Sequence, residues 1–392
     1  MNIIYVSAMY DDNTFMQIFT KLKKPLPTAH KYHYLLCKGL VLNGVSVTAY
    51  SALPTNRENC DLKYIHIKSY CEGLFRREYI SVCNFPIIRH IMLFANSFLK
   101  LLLAKRNTVL MYDTLVISAS YGAIIGAKIR GIRCIGIVTD MPASMLLDKN
   151  SIRKRIDHRL IKLADAYVFL TNQMNEILNK KNKKYIVLEG HADSDMCNRT
   201  HKPFSSQKKI VMYAGAISKK YGVDKLCDAF IKVAKPSEEL HIYGDGDYAN
   251  ELTQIAHEHS NVLFHGNCPN TEVVEAELNA TMLVNPRSSD GEYTKYSFPS
   301  KTMEYMASGT PVLAAKLAGI PDEYDDYLFY FDDLAENGMA TALRATLDYG
   351  VAELKQKGEK NKEFVINQKT NTIQAKKVVK FINDFILQRN VQ

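Results

Sequence analysis

The sequence "YAGAISKKYGVDKLCDAF" runs from Tyr213 to Phe230 and has three parts. An apolar strand leads to Gly215, a short basic loop follows, and an amphipathic helix begins after Gly222. Backbone amides at a glycine-bearing turn from strand to helix form an anion site, and Lys219 or Lys220 would add positive charge beside it. The alternative is a tight turn with solvated lysines, because a single glycine-rich turn only weakly indicates phosphate binding. Both interpretations predict an α/β unit.

The same alternation of strand and helix extends along the chain in both directions. Short apolar runs rich in β-branched residues predict strands, one of which is "TLVISAS", Thr114 to Ser120. Between them lie helix-length segments such as Ala29 to Asn43, which ends at Gly44 as a helix C-terminus often does. Repeated strand, helix and strand predict parallel sheets with right-handed crossovers.

A polar segment without periodicity, Gly190 to Lys209, interrupts this pattern and is typical of a linker. The chain has 392 residues, which is longer than a domain with a single hydrophobic core usually is. We therefore predict two doubly wound α/β domains, over residues 1–195 and 205–371. The helical segment 372–392 has no later partner, so it should pack on a domain already formed. Two such domains facing each other would bind ligands in the cleft between them.

Cysteine usage and the amino terminus bear on location. The eight cysteines show no spacing typical of metal ligands, in a chain too large to need disulfides, so they are expected to be reduced. The first residues lack a basic segment followed by an apolar one, so no secretory signal is expected. These features predict a cytoplasmic protein.

Charge is unevenly distributed. Residues 1–195 carry 27 Lys+Arg against 15 Asp+Glu, a net of +12, whereas the remainder has a net of −3. A basic face attracts phosphates of nucleic acid, anionic lipid or a lipid diphosphate, and charge alone does not choose among them. Basic residues interleaved with an aromatic platform are missing, which disfavours nucleic acid.

The apolar run from Phe85 to Arg106 is the segment most similar to a membrane helix. Arg89, His90 and Lys100 interrupt it, so a spanning helix is not expected. Two interpretations stay open: a helix packed on the domain core, or a helix whose apolar face dips into the membrane surface. The second would allow peripheral contact with the inner face of the cytoplasmic membrane.

A second motif is a short helix predicted from about Lys301 to Ser308. Ser300 can cap it, after the fixed φ of Pro299, and Gly309 ends it. Lys301 and Glu304 share a face and could form a simple ion pair. Alternatively, a cation in the first turn, where the helix dipole favours anions, suggests a bound anionic ligand. Glu304 is then suited to accept hydrogen bonds from two ribose hydroxyls.

The stretch "FPSKTMEYMASGTPVLAAKLAGIPDEY", Phe298 to Tyr324, resembles the signature of glycosyltransferase family 4. This family comprises retaining nucleotide-sugar transferases of the GT-B fold, including members of bacterial polysaccharide assembly. The resemblance extends to Tyr213–Phe230, to "GDGD" from Gly244 and to "NVLFHG" from Asn261, and it covers most of residues 205–330. It implies two Rossmann-like domains facing a central cleft, with the last helix crossing back to the front domain.

The resemblance also implies roles for individual residues. Glu304 would bind the donor ribose and Lys220 the diphosphate, with Lys301 and Arg287 as further phosphate ligands. The turn that begins at Gly266 would lie near the base, and Gly319 near the donor sugar. The implied donor-binding set is Gly215, Lys219, Lys220, Gly244, Gly266, Asn267, Arg287, Ser300, Lys301, Glu304 and Gly319.

The sequence departs from the family pattern at several positions. Tyr296 stands where the family has an acid, eight residues before the ribose glutamate, and Asp290 or Glu292 could substitute for it. Asp140 stands at the end of a front-domain strand that often carries a histidine. The candidate catalytic residues are Glu304, Lys220, Lys301, Glu292 and Asp140.

The resemblance implies a glycosyltransferase of the hexosyltransferase type. It would move a sugar, most often from a UDP-sugar and with retention, to a free glycan or a polyprenyl-diphosphate-linked oligosaccharide in capsule, exopolysaccharide or O-antigen synthesis. Lysines and amides would neutralise the departing diphosphate, so neither metal nor cofactor is expected. Two alternatives stay open: a non-catalytic nucleotide-sugar-binding subunit, and a sugar-nucleotide epimerase.

Overall fold

The structure is a computed structural model that describes residues 1–19, 21, 29–142, 152–197 and 208–387. These residues divide into two units, unit 1 with Met1–His191 and the chain from Asn371, and unit 2 with Ala192–Thr370. The predicted division lay at residues 195–205. Half of the predicted linker, residues 198–207, falls outside the described residues.

The described part of unit 1 contains ten strands. They are β1 (Asn2–Ser7), β2 (Ser46–Ser51), β3 (Tyr64–Ile65), β4 (Tyr70–Glu72), β5 (Phe75–Tyr79), β6 (Val82–Cys83), β7 (Thr108–Asp113), β8 (Arg133–Val138), β9 (Ala166–Phe169) and β10 (Tyr185–Val187). Eight form one sheet in the order β10-β9-β8-β7-β1-β2-β5-β4, antiparallel only at the β4–β5 edge, while β3 and β6 pair separately. All six residues of β7 are buried, as expected for a central strand covered on both faces.

The helices of unit 1 are α1 (Asp12–Ile18), α2 (Ala29–Leu42), α3 (Pro86–Leu102), α4 (Ile117–Arg130), α5 (Ile152–Lys162) and α6 (Asn172–Leu178). The predicted end of α2 is confirmed, since Gly44 has a left-handed φ of 76°. The predicted strand Thr114–Ser120 is wrong, because its second half begins α4 and the strand is β7 just before it. Packing of α4 against α3 outweighs the strand propensity of this short β-branched run.

Unit 2 alternates strand and helix regularly. It contains α7 (Ser194–Cys197), β11 (Lys209–Ala216), α8 (Val223–Val233), β12 (Glu238–Asp245), α9 (Ala249–Glu258), β13 (Val262–Gly266), α10 (Asn270–Asn279), β14 (Met282–Asn285), α11 (Ser300–Ser308), β15 (Val312–Ala315), β16 (Phe329–Phe331), α12 (Gly338–Asp348) and α13 (Val351–Phe364). Short 3₁₀ turns lie at Lys219–Tyr221, Glu292–Tyr296 and Asp322–Tyr324, and a π-helical turn lies at Val365–Lys369.

The sheet of unit 2 is parallel throughout, in the order β13-β12-β11-β14-β15-β16. Counted from β11, this is the strand order 3-2-1-4-5-6 of nucleotide-binding doubly wound domains. The connections reverse direction between β11 and β14, which opens a crevice at the carboxyl ends of these two strands. The predicted class of two doubly wound α/β units is confirmed.

The last helix, α14 (Asn371–Leu387), belongs to unit 1 as predicted. It packs against α2, and its Ala375, Val378 and Ile382 are buried in the core of unit 1. The Gln374 amide donates a 2.8 Å hydrogen bond to the Gly190 carbonyl. The apolar face of α14 is thus covered by unit 1, although no neighbouring segment of the sequence could cover it.

Candidate active site

The carboxyl edge of the unit 2 sheet carries residues that the sequence analysis selected one by one. Gly215 is the second-last residue of β11, and Gly244 is the second-last residue of β12. Gly266 ends β13, and Asn267 is exposed after it. Arg287 follows β14, and Gly319 lies in the turn after β15. The parallel sheet thus brings to one edge residues that are far apart along the chain.

Two glycines at this edge are required by close backbone packing. Gly244 pairs with Gly215 across β12 and β11 and has a φ of 138°. A Cβ at residue 244 would lie 1.8 Å from the Gly215 carbonyl oxygen, and one at Gly246 would lie 2.2 Å from the Ile217 oxygen. Only glycine permits this approach, which holds the ends of both strands against the basic loop.

The basic loop after β11 is pressed against the segment after β14. Gly222 has a φ of 77°, and a Cβ there would lie 2.2 Å from the Pro286 carbonyl oxygen. The Ser218 hydroxyl accepts a 3.3 Å hydrogen bond from the Lys220 amide, and α8 begins directly after Gly222. The loop therefore lies at the point where the strand order reverses and leads into a helix N-terminus, where backbone amides attract anions.

The structure distinguishes the two lysines of this loop. Lys219 Nζ lies 2.6 Å from a Glu251 carboxylate oxygen on α9 and 5.0 Å from the Tyr248 ring centroid. Its pKa is raised, chiefly by the hydrogen bond to Glu251. Lys220 has an exposed side chain on the same 3₁₀ turn. Lys219 is thus engaged by a neighbouring helix, whereas Lys220, the predicted diphosphate ligand, lies on the exposed side of the same turn.

Helix α11 is fixed at its first turns to both strands of the switch point. The Tyr305 hydroxyl accepts a 2.8 Å hydrogen bond from the Ala214 amide and donates a 3.0 Å bond to the Ala214 carbonyl. The Asn285 amide donates to the Thr302 hydroxyl over 3.1 Å. Sequence reasoning missed these anchors, because their partners are distant in the chain and no local pattern marks them.

Lys301 and Glu304 form an ion pair in the structure, with 3.1 Å between Nζ and Oε2. The fully buried Glu277 places an oxygen 3.9 Å from the same Nζ. Burial alone would lower the pKa of Lys301, but the two carboxylates outweigh it and raise the pKa. Lys301 therefore stays charged, and it faces one carboxylate that is buried and one, Glu304, that is 13% exposed.

Ser300 is exposed, and it is the first residue of α11 rather than its cap. The predicted capping role of Ser300 is therefore wrong. Pro299 precedes the helix with extended geometry and offers no side-chain oxygen, so the amides of the first turn have no side-chain cap. The Thr302 amide donates a 2.9 Å hydrogen bond to the Pro299 carbonyl, so the Ser300 and Lys301 amides are the ones placed to donate to an anion.

The segment between β14 and α11 is pinned by one aspartate. The Asp333 carboxylate accepts hydrogen bonds from the Ser288 hydroxyl at 2.6 Å and from the Ser289 amide and hydroxyl at 2.6 and 2.8 Å. Burial alone would raise the pKa of Asp333, but these bonds lower it. The sequence offered no signal for this clamp.

At residue 296, where the family has an acid, this chain has a tyrosine and no acid takes its place. Tyr296 is 8% exposed and packs inward. Asp290 is exposed nearby on the pinned segment, whereas the side chain of Glu292 lies outside what the structure describes.

The two remaining predicted residues, Arg287 and Asp140, belong to different units. Arg287 lies close enough to Tyr213 to lower the pKa of that phenol, although burial raises it overall. Asp140 belongs to unit 1, where it follows β8 and its carboxylate accepts a 2.8 Å hydrogen bond from the Met141 amide. Arg287 therefore belongs to the edge of unit 2, and Asp140 lies at the end of a strand of unit 1.

Solved structures with the same fold extend over almost the whole chain. Sucrose-phosphate synthase of Thermosynechococcus elongatus superposes with a TM-score of 0.72 at 14% identity, covering 99% of this chain and 100% of that one. Anabaena HepE in complex with UDP gives 0.67 at 12%, covering 98% and 100%. The catalytic domain of Arabidopsis thaliana starch synthase IV, bound to ADP and acarbose, gives 0.70 at 12%, covering 98% and 99%. Identities this low show the shared fold alone.

Residues 208–349 match the family model of the glycosyl transferases group 1. No curated protein matches the chain at a significant level. The matched segment is the part of unit 2 that carries the edge described above. The chain is a glycosyltransferase with the GT-B fold, and its match to the glycosyl transferases group 1 covers residues 208–349.

Proposed function

We propose that this glycosyltransferase uses a nucleotide-sugar donor and binds its nucleotide at the carboxyl edge of unit 2. The observation that carries the proposal is the convergence of two anion-attracting elements at one switch point. The glycine-bounded loop before α8 and the uncapped start of α11 both lie at the ends of β11 and β14. Proteins of the same fold are solved with UDP and with ADP.

We assign the donor contacts as follows. Lys220 and the loop amides face the diphosphate, with Arg287 as a second cation. Glu304 accepts hydrogen bonds from the ribose hydroxyls, and Lys301 exchanges its contact with Glu304 for a phosphate oxygen. Gly266 and Asn267 lie near the base, and Gly319 near the donor sugar.

In the transfer, the bond between the sugar C1 and the diphosphate oxygen breaks, the acceptor hydroxyl oxygen bonds to C1, and the hydroxyl proton passes to the departing diphosphate. The departing diphosphate gains negative charge, and prepositioned cations and amides stabilise that charge without reorganisation. We propose that no metal is required, so an excess of EDTA should leave the transfer rate unchanged. Asp290 and Glu292 are the candidates for the acid that the family has at residue 296. Asp140 is a further candidate catalytic residue, and we expect retention of configuration.

We propose a UDP-sugar as donor and a glycan, free or linked to polyprenyl diphosphate, as acceptor. The assembly of a bacterial cell-surface polysaccharide is the process in which such an acceptor is extended. The resemblance of Phe298–Tyr324 supports this choice.

One observation favours a second candidate, a non-catalytic subunit that binds nucleotide-sugars. Tyr296 is buried where the family has an acid, so unit 2 can hold a donor without completing a transfer site. Such a subunit would bind the donor and release no nucleotide.

The test is nucleotide release from a panel of UDP-, ADP- and GDP-sugars, with and without glycan acceptors. We expect one donor to be consumed, faster with acceptor, and the rate to fall about tenfold or more in Glu304→Ala, since a hydrogen bond to a charged group is lost. Glu359→Ala, an exposed glutamate on α13, is the matched control. Binding without turnover would favour the non-catalytic subunit, and interconversion of the donor without acceptor would indicate an epimerase.

A further inference from the structure

One face of unit 1 is covered by three helices, α3, α4 and α5, that lie side by side. Gly122 and Gly126 of α4 lie directly against α3, since a Cβ at each would come within 2.1 and 2.4 Å of the carbonyl oxygens of Phe94 and Phe98. The Tyr121 hydroxyl of α4 donates a 2.8 Å hydrogen bond to the Ile156 carbonyl of α5. The three helices therefore form one continuous layer.

This layer leaves large aliphatic side chains in solvent. Ile87 and Ile91 on α3 are 75% and 62% exposed, Ile129 on α4 is 65% exposed, and Ile152 on α5 is 76% exposed. Helix α3 fully buries only Leu93, Ser97 and Leu101, and five of its large apolar side chains are exposed, namely Ile87, Ile88, Ile91, Phe94 and Leu99. The opposite face differs, because α2 and α14 there bury their apolar side chains in the core. An exposed apolar layer of this kind marks an interaction surface.

The helices of this layer carry almost no negative charge of their own, although Glu78 pairs with Lys100 and Asp165 with Lys128. The three helices carry nine Lys and Arg residues, five of them on α5, and a single acid, Asp157. Asp157 is 3% exposed and lies 3.5 Å from Arg153, so it contributes little negative charge to the surface. Arg153 in turn lies near His90 of α3, which keeps the positive charge close to the exposed isoleucines.

We propose that the face formed by α3, α4 and α5 docks on an anionic phospholipid bilayer. Helices with aliphatic side chains beside Lys and Arg insert the former among acyl chains while the latter contact headgroup phosphates. Among the helices of the described residues, none combines the length and apolarity needed to cross a bilayer, so the contact is peripheral. The proposal does not depend on the proposed donor or acceptor.

Two other occupants fit this surface less well. A second copy of the chain would bring two strongly positive faces together, which like-charge repulsion disfavours. Nucleic acid would satisfy the basic residues but would leave the isoleucines without an apolar partner. An anionic bilayer satisfies both the charge and the aliphatic residues.

The chain contains no tryptophan, so one introduced residue reports on its own surroundings. We expect Ile91→Trp to shift its emission to shorter wavelength, and to be quenched by brominated acyl chains, with vesicles of phosphatidylcholine and phosphatidylglycerol. The control is Leu334→Trp, at an exposed position of unit 2, which should show neither effect. An equal response of the two reporters, or no response of Ile91→Trp at low salt, would overturn the proposal.

Flotation with the same vesicles tests the charges. Arg155→Gln and Arg159→Gln, both at exposed positions of α5, should each lower vesicle affinity about fivefold. Lys355→Gln and Lys360→Gln on α13 of unit 2 are the matched controls and should leave affinity unchanged. Equal binding to pure phosphatidylcholine, or an α13 effect as large as the α5 effect, would contradict the assignment.

Self-association and loss of folding are distinguished by two further measurements. Sedimentation velocity should show a monomer, and a dimer that Ile91→Glu dissociates would overturn the proposal in favour of a second copy. The thermal unfolding midpoint of each variant should match that of the wild type. If a variant at Ile91 fails this control, the same substitution is made at Ile87 and the measurement is repeated there.

Discussion

At the residue scale, the edge of unit 2 depends on glycines whose backbone conformation or packing disfavours any other residue. Gly244 combines a left-handed φ of 138° with a predicted Cβ contact of 1.8 Å to the Gly215 carbonyl oxygen. Gly266 also has a left-handed φ, of 65°, but open space surrounds the position of its Cβ. The two glycines therefore separate the cost of backbone strain from that of steric overlap.

We expect Gly244→Ala to destabilise unit 2 by about 3 kcal/mol, since strain and overlap add. Gly266→Ala should lower the free energy of unfolding by only about 1 kcal/mol, because it adds backbone strain without steric overlap. Urea unfolding of both variants checks this difference. Equal losses in the two variants would show that the Gly215 contact does not limit the structure.

Glu238 is the clearest source of acid sensitivity in unit 2. Its two carboxylate oxygens accept hydrogen bonds of 2.8 and 2.9 Å from the Arg344 guanidinium, and it is almost fully buried. Burial alone would raise the pKa of Glu238, but the bonds to Arg344 and to the Lys235 amide lower it below 4.5. A lowered folded-state pKa stabilises the fold above the unfolded value and loses that contribution as pH falls.

We expect Glu238→Gln to cost about 3 kcal/mol at pH 7, because Arg344 loses a buried partner. The difference from the wild type should shrink below pH 4.5, where the wild-type carboxylate is protonated in the unfolded and then in the folded state. Urea unfolding at several pH values measures this difference in the free energy of unfolding. Asp348→Asn, at the exposed second partner of Arg344, is the control with little expected change. A difference independent of pH would contradict the assignment.

At the scale of the element, the contact between α3 and α4 depends on small residues. Gly122 and Gly126 occupy adjacent turns of α4, and the carbonyls of α3 lie where side chains would be. Close approach of this kind positions α3 with its aliphatic face outward.

We expect Gly122→Ala to destabilise unit 1 by about 2 kcal/mol, because α3 must move to admit the methyl group. Ile125→Ala, on the exposed side of the same helix, should change stability by less than about 0.5 kcal/mol. Chemical denaturation of the two variants compares them. A neutral Gly122→Ala would mean that α3 is free to adjust.

The sequence predicts elements well where local chemistry repeats. The helix at Ala29–Leu42 and the strand, glycine loop and helix from Tyr213 to Phe230 follow from apolar periodicity and glycine placement. The error at Thr114–Ser120 arose because a short β-branched run has no period long enough to separate strand from helix. Ser300 was misplaced by one position, since a helix can begin after Pro299 without a side-chain cap.

The same limit applies to the site. The glycines, Lys301 and Glu304 are candidates that the sequence alone can offer, because their local pattern has a chemical meaning. Tyr305, Asp333 and the Glu251 partner of Lys219 are not, because each acts through a contact that only the folded sheet creates. The positions that bear charge were thus predictable, and the groups that hold them in place were not.

At the scale of the whole molecule, charge separates the two halves of the chain. The front half has a net charge of +12 and the remainder −3, and the exposed aliphatic layer lies in the basic half. We assign lipid contact to unit 1 and nucleotide contact to unit 2. The vesicle experiments and the nucleotide experiments can therefore fail independently.

The central claim is that the carboxyl edge of unit 2 binds a nucleoside diphosphate through Glu304 and its neighbours. Calorimetric titration with UDP, ADP and GDP tests it most directly. We expect at least one of them to bind the wild type and the Glu359→Ala control alike, and to bind Glu304→Ala about tenfold more weakly or worse. No binding of any of the three, or the same Kd in Glu304→Ala as in the wild type, would contradict the claim.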